Sequence, residues 1–203
     1  MRAKLKKPFR LLITIVFSVL VLGIAIVAIL GWWSLPAARQ LAAIPGLSAP
    51  ADMTFDQDGV PRIYAANPAD AAAALGFVHA RDRLFQMDMM RRGAEGRLSA
   101  VLGPVTLPFD RTMRVLGLRR RAEIDLASLS PQAVALMQAY ASGVNAWIAT
   151  RGRFSALEFI VLGQPEPWSV VDSLLWGKMM GLWLSSNWRT EMARLSVAGS
   201  VSP

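Results

Sequence analysis

The first pattern along the chain is an unbroken apolar run. Residues 11–33, LLITIVFSVLVLGIAIVAILGWW, contain no charge, and 23 residues are enough to cross about 30 Å of hydrocarbon. A buried helix of a soluble core would rarely be so long and so uniformly apolar. A cleaved signal peptide would carry an apolar region of about 7–15 residues followed by a small-residue site, and WWSLPAARQ offers no clean A-x-A. The pattern predicts an uncleaved signal anchor over 11–33, with residues 1–10 as a basic cytoplasmic tail. Trp32 and Trp33 then sit at the outer interface, and everything after Ser34 lies outside the cytoplasm, facing the periplasm or cell exterior. Residues 34–50 form a linker with three prolines.

Short-period patterns follow. In ADMTFDQDGVPRIYA (51–65), apolar residues flank a turn at Gln57-Asp58-Gly59, which predicts a hairpin or two short strands. Pro61 confines its strand to an edge. Asn67-Pro68 starts a helix: Asn as N-cap, Pro at the first helical position, Asp70 near the positive end of the dipole. That helix is expected to run to about Arg92, with Gly93 stopping or bending it. At 100° per residue, Arg81, Asp88 and Arg92 share one stripe and His79, Asp82 and Gln86 another. Apolar residues fill the gaps, so the helix reads as buried on most sides with a polar network built in. Glu95 to Leu102 adds a short helical turn ended by Gly103.

Ser130-Pro131 opens a second long helix. Val134, Met137, Tyr140, Val144, Trp147 and Ile148 give it an apolar face, and Gly143 allows close packing against another helix. Trp168 is expected in a core, its indole N–H needing an acceptor. A third helix is expected from Val170 to about Leu195. A second membrane span competes there, but Asp172, Lys178, Asn187 and Arg189 shorten its uncharged run too far. The fold class predicted is mostly α with a short N-terminal β hairpin, preceded by one transmembrane helix.

Composition narrows the chemistry. A length of 203 residues allows one domain, here 51–203, plus an appendage. Cysteine is absent, which removes disulfides, thiolate metal sites and a thiol nucleophile. The net charge of +8 is mostly a tail effect, since five positive charges fall in the first ten residues. No nucleic-acid motif accompanies it, so no nucleic-acid partner is expected. The one histidine, His79, has no positioned serine partner, and no G-x-S-x-G or H-E-x-x-H occurs. A lone His in an apolar helix reads first as a hydrogen-bonded core residue.

Three segments in order, GVPRIYA (59–65), GFVHARDRLFQMDMMRR (76–92) and EGRLSAVLG (95–103), resemble the start of the penicillin acylase family of N-terminal-nucleophile hydrolases. Asp110, RVLGL (114–118), AYASGVNA (139–146) and PEPW (165–168) with Asp172 fit in register, so the resemblance covers Leu47 to about Leu195. It implies that this sequence is the α-chain portion of an αββα hydrolase whose precursor is cut into a small α chain and a large β chain. The implied reaction is hydrolysis of a linear amide in a small acylated substrate, such as a β-lactam side chain or an acylated homoserine lactone. The nucleophile would be the N-terminal serine of the β chain, so no catalytic residue is expected here. Ser186-Asn187 lacks the preceding glycine of a cleavage junction and reads as helix surface.

Two further roles come with the resemblance. Glu191 would ligate a structural calcium ion shared with the β chain. Leu182, Trp183, Leu184 and Ser185, with Gly181, would line the acyl pocket. Arg81, Asp82, Asp88, Arg91 and Arg92 are expected to tie this chain to the β chain, leaving some of them unpaired here. An isolated fragment and a truncated precursor both fit the VAGSVSP terminus. A different class also stays open: a non-enzymatic, membrane-tethered helical binding or structural protein.

Overall fold

The computed structural model describes residues 7–35, 41–185 and 187–199. Helix α1, Lys7–Ser34, carries the apolar run. Its stretch Phe9–Ser34 is long and apolar enough to cross a membrane, and none of that stretch is buried in the protein.

The hairpin forms as the pattern predicts. Strands β1 (Asp52–Phe55) and β2 (Pro61–Tyr64) pair antiparallel, with Met53 opposite Ile63 and Phe55 opposite Pro61. The turn is held by Asp56, whose Oδ1 accepts the N–H of Asp58 (3.1 Å) and of Val60 (2.9 Å). Gly59 supplies the positive φ of 77° that this turn needs.

Helix α2, Pro68–Glu95, starts at the Asn67 cap, whose side chain accepts the Asp70 N–H. It runs three residues past the expected end. Gly93 keeps helical backbone, packed near Leu98, Phe109 and Met179, and the left-handed residue that closes the helix is Gly96 (φ 67°). The helix is also broken at Arg83 (φ −139°, ψ 15°). The break separates Arg81 from the expected stripe, of which Asp88 and Arg92 stay together at 2.7 Å. Arg81 lies over the Phe55 ring at 4.1 Å, while Asp88 and Arg91 turn inward and are buried.

Four elements follow: α3 (Ser99–Leu102), a 3-10 turn at Pro104–Thr106, α4 (Leu107–Leu116) and α5 (Leu118–Leu126). Helix α6 (Pro131–Arg151) begins at a Ser130 cap and Pro131, as expected. It crosses α2 with almost no gap. A Cβ at Gly143 would stand 1.8 Å from the Ala73 carbonyl oxygen, and one at Gly76 would stand 2.0 Å from that of Tyr140. Phe77 and Trp147, both fully buried, meet edge to face at 5.5 Å beside this crossing, each burial contributing on the order of 1.5–3 kcal/mol. Ala73, Ala80, Leu84, Val144 and Phe159 complete this core. A second core joins Ala94, Met113, Leu118, Ala122, Leu175 and Met179.

After a 3-10 turn (Gly152–Phe154) come α7 (Leu157–Leu162) and α8 (Val170–Leu184). The single helix expected over 170–195 is two helices, because α9 (Trp188–Ala198) starts anew. Ser185 leaves helical geometry (φ −87°, ψ 28°), and its hydroxyl bonds back to the Gly181 carbonyl at 2.8 Å. Short polar side chains compete in this way with the helical backbone. Asn187 falls at the break, and Ser186 lies outside the described residues. The architecture is mostly α with one two-stranded sheet, the class the pattern predicts.

Candidate functional site

Helix α8 carries the residues singled out for substrate contact, and a buried ionic network aims it. The network starts at its first turn. Ser169 and Asp172 form a capping box, with the Ser169 N–H and hydroxyl both donating to Asp172 Oδ2 (2.7 and 2.8 Å). The same oxygen meets Arg91 Nη1 at 3.4 Å. Arg91, 4% exposed, also donates to the carbonyls of Pro167 (2.8 Å) and Glu166 (3.2 Å), and through Nη2 to Asp88. Arg92 Nε closes on the other Asp88 oxygen at 2.7 Å.

The outer layer continues through Arg97, whose two terminal nitrogens grip Glu166 at 3.1 and 2.9 Å. That bidentate pair holds the Glu166 carboxyl down at about 2, against the opposing effect of burial. Arg119 reaches the inner layer from α5, pairing with Glu95 and approaching Asp172 Oδ1 at 3.6 Å. The turn before α8 is clamped twice more. Asn145 Oδ1 accepts the Trp168 N–H (2.7 Å) and its Nδ2 donates to the Trp168 carbonyl (2.9 Å). The buried Trp168 indole finds the expected acceptor, Ser173 Oγ, at 2.9 Å.

Of the five charges expected to tie this chain to a β chain, Asp88, Arg91 and Arg92 find ionic partners within this chain. Asp88 takes Arg91 and Arg92 of its own helix, and Arg91 also reaches Asp172 and the turn before α8, while Arg91 Nε is buried with no hydrogen bond among the described residues. Leaving Arg91 and Asp88 buried without partners would cost several kcal/mol, so a chain that folds must pair them. Arg81 and Asp82 behave differently. Asp82 is exposed, and Arg81 Nε, buried without a hydrogen bond among the described residues, stands 3.7 Å from it.

The far end of α8 is open. Trp183, Leu184, Ser185 and Gly181 are exposed, and Leu182 is partly buried against the second core. Glu191 lies in the first turn of α9, accepting from Arg194 Nη1 (2.8 Å) and Asn187 Nδ2 (3.5 Å). No group of three or more metal-ligating side chains occurs among the described residues. Calcium needs six to eight oxygens, so the described residues do not by themselves form such a site at Glu191.

A separate cleft of about 560 Å³ opens between α2, α6 and α8, with Met87, Met137, Trp168 and Trp176 among its walls. His79 is on its rim, not in a core, and its Nδ1 lies 3.0 Å from the Tyr140 hydroxyl. Partial burial pushes the imidazole below its ordinary value, opposed by the charge of Asp82. Burial raises the Tyr140 phenol to about 12. The pair is a satisfied hydrogen bond, and no serine or threonine hydroxyl is bonded to His79 among the described residues.

A family profile described as penicillin amidase matches residues 50–202. The chain belongs to the penicillin amidase family. Penicillin acylase 2 proenzyme from Pseudomonas sp. (strain SE83) is 40% identical over 172 residues, covering 83% of this chain and 22% of that protein. Acyl-homoserine lactone acylase QuiP from Pseudomonas aeruginosa is 36% identical over 169 residues, covering 83% and 20%. A thermostable penicillin G acylase from Alcaligenes faecalis matches in structure with a TM-score of 0.58 and 28% identity, covering 81% of this chain and 87% of the matched chain. This penicillin amidase family chain thus spans about a fifth of the length of the curated relatives it matches.

Membership explains why so few reactive groups converge in the described residues. It also shows which positions the sequence reading missed. Glu95, Arg97, Arg119 and Glu166 come from distant segments and carry no local signal. The Ser169-x-x-Asp172 capping box does carry one, and would have marked the start of α8 as a fixed point.

Proposed function

We propose that this chain is the α-chain part of a penicillin acylase-like amidohydrolase that cleaves linear amide C–N bonds. Its substrate classes are acyl side chains on a β-lactam nucleus and acyl-homoserine lactones. The observation that carries the proposal is the 40% identity, over 83% of this chain, to a penicillin acylase proenzyme of which it spans about a fifth. The remaining four-fifths would bring the β chain and its N-terminal serine. The α-amino group of that serine, with an ordinary pKa of about 7.7–8.0, serves as base, so no histidine is required.

This chain's own part is positioning. The network at Asp172 fixes the start of α8. About 15–20 Å further along the helix axis Leu182, Trp183, Leu184 and Ser185 form an apolar wall for the acyl group. Glu191 would supply one oxygen to a calcium ion whose other ligands come from the β chain. Helix α1 anchors the chain in the inner membrane as a single span, with the acylase portion on the periplasmic or outer side.

The test is an amide-hydrolysis assay on two preparations. The 203-residue chain alone should show no turnover. The same chain co-expressed with the remaining portion of the Pseudomonas penicillin acylase 2 proenzyme should release carboxylic acid from a penicillin or an acyl-homoserine lactone. Turnover by the chain alone, surviving a Glu191→Ala, Trp183→Ala double substitution, would sink the proposal.

A further inference from the structure

The outer end of α1 does not stop in open solvent. Arg151, the last residue of α6, donates from Nη2 to the Trp33 carbonyl and to that of Leu35 (3.2 Å). The Trp33 ring meets Phe154 edge to face at 6.2 Å and 82°. Helix α7 touches α1 directly. Three independent contacts therefore seat the corner at residues 151–162 against the last turn of the apolar helix.

What that corner shows to its surroundings is apolar. On α7 only Phe159 points fully into the core, at 2% exposed. Leu157, Val161 and Leu162 are exposed, Val161 at 86%. Arg153 is exposed and makes no ion pair among the described residues. Glu158 is the one acid on α7, against Arg153 in the adjoining turn and Arg151 at the end of α6.

These positions follow one physical logic. A tryptophan at the end of a membrane span sits at headgroup depth. Phe154, in contact with Trp33, then lies at that depth as well. Helix α7, six residues long, extends only about 9 Å further, within the layer of about 5–10 Å that interfacial helices occupy. Cations beside an apolar face are what an anionic lipid surface attracts.

We propose that α7 and the Arg151–Phe154 turn form a membrane-docking surface. Leu157, Val161 and Leu162 enter the boundary between headgroups and acyl chains, and Arg153 faces anionic lipid phosphates. The surface holds the acylase portion against the bilayer instead of letting it swing on its linker. This rests on the reading of α1 as a membrane span.

The absence of cysteine makes the test direct, because one introduced cysteine carries the only label. Four variants of the full chain, Leu20→Cys, Val161→Cys, Val105→Cys and Val115→Cys, are labelled with an environment-sensitive fluorophore and reconstituted in bilayers. Val105 and Val115 are as exposed as Val161 and serve as controls for non-specific adhesion. Quenching by brominated acyl chains is expected at Leu20 and Val161 and not at the two controls. In anionic bilayers, Arg153→Ala should lower the docked-to-undocked ratio of the Val161 label about fivefold. In zwitterionic bilayers it should leave that ratio unchanged.

Several results overturn the proposal. One is a Val161 label as open to aqueous iodide as the Val115 label while Leu20 is quenched by lipid, which leaves the anchor standing. Quenching at all four positions means general stickiness. A Val161 label shielded from lipid and iodide alike means that protein covers α7. An unquenched Leu20 removes the anchor and the docking surface together. Leu157→Cys repeats the measurement should Val161→Cys fail to fold.

Discussion

Substituting Gly143→Ala tests the central packing claim, because the helix crossing leaves no room for one methyl group. The added Cβ would stand 1.8 Å from the Ala73 carbonyl oxygen and 2.8 Å from the Phe77 nitrogen. Both obstacles are backbone of α2, so no side chain can swing away. Relief to a barely tolerable 3.0 Å needs a helix shift of about 1.2 Å, in an interior packed at crystal density. Overpacking of this kind costs about 1–3 kcal/mol. The shift also disturbs the edge-to-face pair of Phe77 and Trp147, worth about 0.5–1.5 kcal/mol. Better helix propensity returns about 1 kcal/mol. The net expectation is a loss of about 2 kcal/mol, read as a lowered denaturant midpoint by circular dichroism. Gly177→Ala is the paired control: nothing lies within 4 Å of its Cβ position, so the same change should stabilise by up to about 1 kcal/mol. A Gly143→Ala chain as stable as the Gly177→Ala chain would refute the argument.

Three other outcomes are expected. The Glu166 carboxyl is held at about 2 against an ordinary 4.5, so its contribution is present above pH 4.5 and lost as the pH falls toward 2; it is half-exposed, so screening limits it to about 1 kcal/mol or less, and the acid limb of a stability–pH curve should flatten in Glu166→Gln. Because His79 is held below its ordinary 6.5, its neutral form belongs to the folded state, and stability should fall as the pH drops below 6.5. Asp82 opposes that depression, so Asp82→Asn should move the His79 proton titration, followed by NMR, further down. Asp110 is buried and accepts the N–H groups of Leu98 (3.0 Å) and Ser99 (2.8 Å); Asp110→Ala leaves two partly buried donors without this acceptor and should cost about 1–3 kcal/mol, seen as a lower thermal midpoint.

What the sequence displays and what it hides divide along physical lines. The hairpin around Gly59 and the starts at Asn67 and Ser130 are local signals, and each stands as read, while the apolar run forms one long apolar helix. The break at Arg83 is not local. It comes from tertiary packing that turns Asp88 and Arg91 inward while Arg81 meets Phe55, and no periodicity shows that. Helix α5 is hidden by its charge: Arg119, Arg120 and Arg121 run together, with Glu123 and Asp125 after them, and only Leu118 and Ala122 are buried. The network around Arg91 joins residues up to 81 positions apart, beyond the reach of any pattern along the chain.

The same network changes which surface of this chain is left bare. Read from the sequence, the charges of α2 are the unsatisfied feature. In the structure Asp88, Arg91 and Arg92 are paired, and Arg91 together with Arg119 of α5 holds the first turn of α8 and the turn at 164–168 before it. Ionic groups this deeply buried contribute little net stability but specify geometry when each is satisfied. Exposed apolar surface lies at the opposite end of α8. Trp183 and Leu184 are exposed at the end of α8, followed by Trp188, Met192 and Leu195 on α9. A row of large exposed apolar side chains marks a surface that binds something. The rigid start and the bare end therefore belong to one arrangement: the chain spends its polar interactions on aiming α8 and leaves the aimed end open. The chain spans about a fifth of the length of the curated relatives it matches, and on the reading proposed above that bare end is where a β chain would dock.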